Sequence, residues 1–336
     1  MPFAHSCYRG PAGVLVTGLG DDALLMSQIL SITAPIYLLM AVGYLSVRSG
    51  WLDAGAMRHI GLFVIRVALP ALLFQMVTAQ PLSQTLRWPF LLAYALGSVA
   101  AFGLGWWWAK RREQSLRAFI AAGMACSNTG FVGTPVLLSW MGATAAAPAL
   151  ALVFVVENLV SLPLLFLLSE PKSESSRTWH RVGHALKPLV RQPMLLAIVA
   201  GLAWSATGFT MPGPVGRSID LLGRSAAGAS LVVIGGALAG LQRGHLGRDM
   251  LVVAAGKLVA HPLAVGLCMV LLMPAGDPLR AAGIVAAAAP MFSIYPVLAQ
   301  RHGHEGFCAA TLLVATVASF FTLSLVLWLL SAGVLG

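Results

Sequence analysis

The sequence predicts an all-α membrane protein that crosses the bilayer many times. Of its 336 residues, 58% are hydrophobic and only 10% are charged, and the mean hydropathy is +0.85. A soluble globule of this length needs far more polar surface. Apolar stretches long enough to span a hydrocarbon layer of ~30 Å recur along the chain. These observations together predict a polytopic helical protein.

Ten apolar windows are long enough to be transmembrane spans, most of them of roughly 18 to 25 residues. In chain order, the predicted spans are 27–47, 58–79, 88–109, 117–140, 146–169, 193–209, 218–240, 249–273, 279–300 and 307–333.

The basic residues predict the orientation of these spans. Alternate connections place about fourteen Lys and Arg residues on one side, in 48–58, 110–117, 172–191, 243–248 and at Arg301. The other side has only Arg9, Arg87, Arg217 and Arg280. The positive-inside rule then makes the first side cytoplasmic and puts both termini outside. We expect a cytoplasmic (inner) membrane location.

The longest connection predicts the domain organisation. Residues 170–192 form a cytoplasmic linker that separates a first five-helix repeat, 26–169, from a second, 193–336. With an odd number of spans per half, halves of one fold must be inverted in the membrane. Residues 1–25 lack the pattern of a signal peptide, and one interpretation is that they are not native and that Met26 is the start.

Several function classes find no support in the sequence. The net charge of +10 comes from short connections and not from a basic face, so we expect no nucleic-acid partner. The four cysteines and eight histidines have no metal-ligand spacing, and we find no phosphate-binding loop or catalytic constellation. We therefore expect no enzyme activity, no metal and no cofactor.

Two predicted spans are interrupted by helix-breaking residues. In 118–141, the run Ser127–Pro135 contains two glycines, a proline and several side chains that compete for backbone hydrogen bonds. The matching span of the second half, 281–301, has Pro290 and Pro296 on either side of Ser293 and Tyr295. Gly/Pro-interrupted spans at matching positions indicate a transporter binding site. Asn128 is the main candidate ligand, and its alternative role is an interhelical clamp.

Ionisable residues inside the spans are further candidates, because charge at bilayer depth is costly. Glu157 is interpreted as a proton carrier or as a partner of Lys257. Arg66 and Arg224 would either meet an anionic substrate or snorkel to an interface. His261 either lines the face of Lys257 or marks a kink at Pro262.

The motifs resemble the auxin efflux carrier family, which includes bacterial malonate-type and malate-type permeases and the plant PIN-FORMED carriers. The resemblance covers the chain from Met26 and rests on four segments: 69–74 (LPALLF), 128–135 (NTGFVGTP), 257–262 (KLVAHP) and Pro290 with 296–300 (PVLAQ).

The resemblance implies a ten-helix inverted repeat similar to bile acid sodium symporters and sodium/proton antiporters. Spans 1, 2, 6 and 7 would form a scaffold, and the other spans a transport domain in which broken helices 4 and 9 cross. The substrate-binding residues are expected to be Asn128, Thr129, Gly130, Gly133, Pro135, Pro290, Met291, Ser293 and Tyr295. A homodimer through the scaffold is also implied.

Two positions depart from the plant carriers. Ser127 stands where those proteins have a proline before the motif asparagine, and Met291 stands where they have a glutamine after the crossover proline. An aromatic, auxin-like substrate is therefore not expected.

The sequence thus predicts a secondary transporter of a small mono- or dicarboxylate, working by an elevator mechanism in the lipid bilayer. Glu157 and Lys257 are the candidates for coupling to a proton or sodium ion. The alternative is an uncoupled uniporter or channel for organic anions.

Overall fold

The computed structural model describes residues 19–79, 87–169, 191–239 and 247–333. Within these ranges every regular element is a helix. Seven helical segments of this part of the chain are long and apolar enough to cross a membrane, and two shorter apolar helices accompany them. The prediction of an all-α, multi-pass membrane protein is confirmed at this level.

The first half contains long helices and shorter pieces that follow one another without a loop. Its α-helices are α1 (Leu19–Arg48), α2 (Ala54–Phe63), α3 (Leu69–Thr78), α4 (Trp88–Trp108), α5 (Gln114–Ala125), α6 (Thr134–Val156) and α7 (Leu162–Ser169). Within α6, Gly142 has non-helical angles (φ 78°, ψ 164°) and divides the helix into two parts.

The second half repeats this mixture of long and short helices. Its α-helices are α8 (Pro193–Thr207), α9 (Gly213–Ala239), α10 (Arg248–Ala255), α11 (His261–Leu272), α12 (Pro278–Ala288), α13 (Tyr295–Ala299) and α14 (Glu305–Ser331). A 3-10 turn, Gln300–His302, follows α13.

Several boundaries differ from the sequence prediction. Helix α1 begins at Leu19 and not at residue 27, α2 begins at Ala54 and not at residue 58, and α9 begins at Gly213 and not at residue 218. Asp53 caps α2 by accepting a hydrogen bond from the Ala56 N–H, which explains the earlier start of that helix. Residues 1–18 of the predicted extension and 170–190 of the predicted linker lie outside the described ranges.

Four π-helical turns, three of which continue a preceding α-helix, each lead without a loop into the next α-helix. They are Val64–Ala68, Thr129–Gly133, Glu157–Ser161 and Gly256–Ala260. The helix that follows each turn has proline as its second residue: Pro70, Pro135, Pro163 and Pro262. A proline has no N–H for the carbonyl four residues earlier. In each case the residue before it bonds five residues back, as in Leu69 N–H to the Val64 carbonyl.

The helices pack in two groups. Helix α1 lies along α9, and α3 packs against both α8 and α9. In the second group, α4 packs against α5 and α11, and α12 packs against α6 and α11. The α1/α9 crossing is very close, because a Cβ added at Gly235 would lie 1.7 Å from the Met40 carbonyl oxygen. The first group contains the helices of predicted spans 1, 2, 6 and 7.

Candidate functional site

Two breaks in helical structure meet inside the protein. Residues 126–128 separate α5 from the π turn Thr129–Gly133, and residues 289–294 separate α12 from α13. The Asn128 N–H donates to the Pro290 carbonyl at 2.7 Å, and Ser127 and Met291 form an isolated antiparallel bridge. Irregular backbone at membrane depth needs such partners. Each break therefore supplies hydrogen-bond partners for part of the backbone of the other break.

Asn128 also connects the two breaks through its side chain. Its Nδ2 donates to the Ser293 Oγ at 2.8 Å, and the residue is only 3% exposed. Its backbone carbonyl accepts from the N–H groups of Val132 and Gly133. Among the described residues, no partner is found for the amide oxygen of Asn128 or for its second amide hydrogen. An amide has two donor and two acceptor positions, so part of this side chain is available to a ligand.

Glu157 lies against the first break. It begins its own π turn, and its Oε1 accepts a hydrogen bond from the Thr129 hydroxyl at 2.7 Å and a longer one, at 3.4 Å, from Tyr94. Thr129 is the first residue of the helical segment that continues into α6. The carboxylate is therefore close to a helix N-terminus, where the helix dipole favours negative charge.

Lys257 lies against both breaks and is fully buried. Its Nζ has three partners: the Ser127 hydroxyl at 3.0 Å, the Ala287 carbonyl at 2.6 Å and the His261 Nδ1 at 3.0 Å. An ammonium group has three donors, so all of them are used. Ala287 is in the last turn of α12, where unpaired carbonyls favour a cation.

The contacts of Lys257 also assign the hydrogen positions on His261. Because the ammonium only donates, Nδ1 of His261 must accept, and Nε2–H then donates to the Ser98 hydroxyl at 3.0 Å. Ser98 and Tyr94 are four residues apart on one face of α4. One helix thus contacts Glu157 directly and Lys257 through His261.

Glu157 and Lys257 do not form a direct ion pair within 4.0 Å; the ion pairs found among the described residues involve other side chains. Ser127 lies between the two groups, with its hydroxyl on Lys257 and its backbone N–H facing the Glu157 carboxylate. The two charges therefore belong to one polar cluster at the crossing of the breaks.

Other predicted site residues have mainly packing contacts. Gly130 faces the first helix group, since a Cβ there would lie 3.1 Å from Leu69 Cδ1, whereas Gly133 has room for one. Met291 and Tyr295 are fully buried, and the Tyr295 hydroxyl donates to the Phe119 carbonyl at 2.7 Å. Pro135 is the second residue of α6.

The two arginines have different environments. Arg224 is exposed, lies eleven residues after the start of α9 and pairs with Asp220 at 2.7 Å. Arg66 is in the π turn between α2 and α3, at the centre of its helix. Because this helix begins four residues earlier than predicted, Arg66 lies further from the helix end than the sequence indicated.

Sequence reasoning missed Tyr94 and Ser98 as parts of the polar cluster. Their spacing of four residues on one helix was the available signal. No group of three or more His, Cys, Asp or Glu side chains that could hold a metal ion occurs in the described part of the chain.

Comparison with known proteins identifies the family. A protein of Rhizobium meliloti (strain 1021) named "Putative malonate transporter" is 27% identical to this chain over 319 residues, which cover 92% of this chain and 98% of the relative. The family model described as "Membrane transport protein" matches residues 29–329. Since that match covers most of the sequence, the chain belongs to this membrane transport family, and the resemblance to auxin efflux carriers is confirmed.

Proposed function

We propose that this transporter is a secondary transporter of a small organic anion, a mono- or dicarboxylate, and that it binds the anion where the two breaks meet. The observation that carries this proposal is the side-chain amide of Asn128, which is buried between two interrupted helices. One of its N–H groups is bonded to Ser293, and its oxygen and second N–H have no partner among the described residues. A ligand with both acceptor and donor atoms fits an amide that has one oxygen and one N–H to spare. A carboxylate of a small organic acid accepts from the spare N–H, and a hydroxyl or a protonated carboxyl of the same acid donates to the amide oxygen.

The helix ends around Asn128 favour a negative ligand. The helical segment that starts at Thr129 has N–H groups in its first turn with no carbonyl partner within the helix. Such an N-terminus attracts a carboxylate without a full positive charge. Thr129, Gly130, Gly133 and Pro135 shape this end, and Pro290, Met291, Ser293 and Tyr295 shape the opposite break.

We further propose ten spans in two inverted five-helix repeats, with an elevator-type movement. The group formed by α1, α2, α3, α8 and α9 would be the scaffold, and the second group, which contains both breaks, would move against it. The separation of the packing into two groups supports this division. The proposal places the protein in the cytoplasmic membrane, with both termini outside and a homodimer formed through the scaffold.

Coupling to a proton or sodium ion would involve Glu157 and Lys257. The carboxylate of Glu157 is next to the first break, so its charge state bears directly on a ligand at Asn128. An uncoupled uniporter is the second candidate. It is favoured by the complete hydrogen bonding of Lys257, which fits a structural cation that keeps its charge throughout the cycle.

The experiment is transport by the purified protein in liposomes. The substrates are malonate, taken from the name of the relative, and a panel of other small mono- and dicarboxylates under proton or sodium gradients. Uptake or counterflow of at least one carboxylate is expected. Its absence across the panel, together with the absence of any ligand-induced thermal shift, would refute the proposal.

Glu157→Gln separates the two mechanisms. The amide keeps an oxygen for the Thr129 hydroxyl but cannot carry a proton. A proton-coupled carrier should lose uptake driven by a pH gradient and keep substrate exchange, whereas a uniporter should keep both. Glu113→Gln is the control, because that side chain is 73% exposed at a helix end.

A further inference from the structure

Three tryptophans in a row, at positions 106–108, end helix α4, and each has a cation over its ring. The distances from the charged groups to the three ring centroids are 4.0 Å for Arg117, 5.5 Å for Lys110 and 5.3 Å for Arg248. Lys110 follows α4 and Arg117 is in α5, whereas Arg248 is the first residue of α10. Cation–π contacts therefore connect the start of α10 with the end of α4.

A cavity of about 350 Å³ lies next to these contacts. Its lining comes from the first turns of α10 and α14 and from Arg112, and it includes both Arg248 and Asp249. Asp249 pairs with Arg112 at 2.7 Å, whereas Arg248 has no acidic partner among the described residues. No side chain caps the first turn of α10 or of α14, so their N–H groups add positive potential to that of Arg248. The cavity therefore favours an anion.

The cavity lies at the level of a membrane boundary. Helix α4 is apolar and long enough to cross a membrane, and it ends at Trp108, the ring under Arg248. Tryptophan is typical of the headgroup level, and Trp107 is 62% exposed. On α10, Leu251 lies one turn further into the membrane than Arg248, on the same face, and is also exposed. The cation of the cavity thus has an apolar, lipid-facing surface directly beneath it.

The charge around the cavity indicates which headgroup fits. The segments that form this surface, 106–117, 247–250 and 305–307, contain five basic and three acidic residues. An excess of basic residues beside a membrane span attracts anionic lipids. A zwitterionic headgroup would bring its own cation next to this excess and gain less.

We propose that this cavity binds the phosphate group of an anionic phospholipid, with Arg248 on the phosphate and Leu251 along the upper part of an acyl chain. Helix α10 continues without a loop through the π turn that contains Lys257. A lipid at its first turn therefore stabilises the same helical segment that contributes the buried cation of the candidate functional site. The proposal does not depend on which solute is transported.

The test measures lipid binding by the wild type, Arg248→Gln and Arg111→Gln in a neutral detergent. Arg111 is the matched control, because it is exposed in the connection after α4 and does not line the cavity. The probes are phosphatidylglycerol, phosphatidylcholine and glycerol 3-phosphate, and the readouts are native mass spectrometry and the melting temperature.

Phosphatidylglycerol should bind the wild type more tightly than phosphatidylcholine and should raise its melting temperature more. Its Kd should rise roughly tenfold in Arg248→Gln, because a charge-assisted hydrogen bond to the phosphate is lost, and should stay close to the wild-type value in Arg111→Gln. Glycerol 3-phosphate, which has no acyl chain, should cause little change in melting temperature.

Four results would overturn the proposal. They are equal binding of the two lipids by the wild type, an unchanged Kd in Arg248→Gln, equal losses in Arg248→Gln and Arg111→Gln, and a full thermal shift with glycerol 3-phosphate alone. The third would mean diffuse attraction to a basic surface, and the fourth would assign the cavity to a soluble phosphate. The melting temperature of each variant without lipid shows that it folds, and the comparison of the two lipids on the wild type needs no variant.

Discussion

The two breaks contact each other but differ in chemistry. The first, residues 126–128, is short, contributes the Asn128 N–H and side-chain donors, and has Glu157 and Lys257 beside it. The second, residues 289–294, is twice as long and accepts those hydrogen bonds at Pro290 and Ser293. Its remaining contacts are largely apolar, since Met291 and Phe292 are buried in a hydrophobic cluster.

This difference indicates a division of labour between two segments that the sequence presents as equivalent. The first break contains the polar groups that a ligand can use. The second fixes the geometry of the first, by accepting its bonds and by anchoring α13 through the Tyr295 hydroxyl. Substitutions in the first break should therefore affect binding, and those in the second should affect stability.

The largest effect is expected for Asn128→Ala. Loss of a hydrogen bond to a charged ligand typically costs about 1.5–3 kcal/mol, so substrate affinity should fall roughly 10- to 100-fold. Ser293→Ala removes the other partner of the same hydrogen bond and is the matched control. Uptake and ligand-induced thermal shift should be lost only in Asn128→Ala. Equal losses in both variants would make Asn128 a clamp and not a ligand.

A smaller effect, on stability, is expected for Gly123→Ala. An added Cβ would lie 2.6 Å from the Tyr295 hydroxyl and 2.8 Å from Val253 Cγ1, so the contact between α5 and α13 must shift. Overpacking of this kind costs about 1–3 kcal/mol. Gly133→Ala, whose nearest neighbour would be 3.6 Å away, should cost less than about 1 kcal/mol. Chemical or thermal unfolding in detergent measures the loss of stability in both variants. Similar losses would mean that α13 can shift at little cost in free energy.

The smallest effect is expected for Tyr295→Phe. The variant leaves the Phe119 carbonyl without its hydroxyl donor, which should lower the free energy of unfolding by about 1 kcal/mol. Because the hydroxyl is already used inside the protein, the KM for the substrate should change less than threefold. A large rise in KM with unchanged stability would restore Tyr295 to the substrate site and contradict the division of labour.

The sequence predicted the interruptions correctly but not their extent. Glycine, proline and asparagine weaken a helix, and both breaks are found in the spans that contain them. The first break is shorter than expected because Thr129–Gly133 closes into a π turn, in which hydrogen bonds five residues apart replace the usual ladder. Pro296 lies outside the second break because proline is tolerated in the first turn of a helix.

The polar cluster was only partly predictable. Glu157 and Lys257 are conspicuous as charges in apolar segments, and they lie on either side of Ser127 without forming a direct ion pair. Which side chains complete the cluster depends on contacts between distant segments, as between Ser98 and His261 or Tyr94 and Glu157. Helical periodicity alone gives no information on such contacts.

Four prolines of this chain, Pro70, Pro135, Pro163 and Pro262, mark the positions of π turns. Each turn ends two residues before a proline of the following helix, and the four turns contain, four to six residues before that proline, Arg66, Thr129, Glu157 and Lys257. A π turn adds one residue to an α-helix, which changes the direction of every later side chain relative to those before it. In this chain, the polar residues of the π turns can thus be located by counting backwards from these four prolines, whereas Pro35 and Pro148 lie inside α-helices without such a turn.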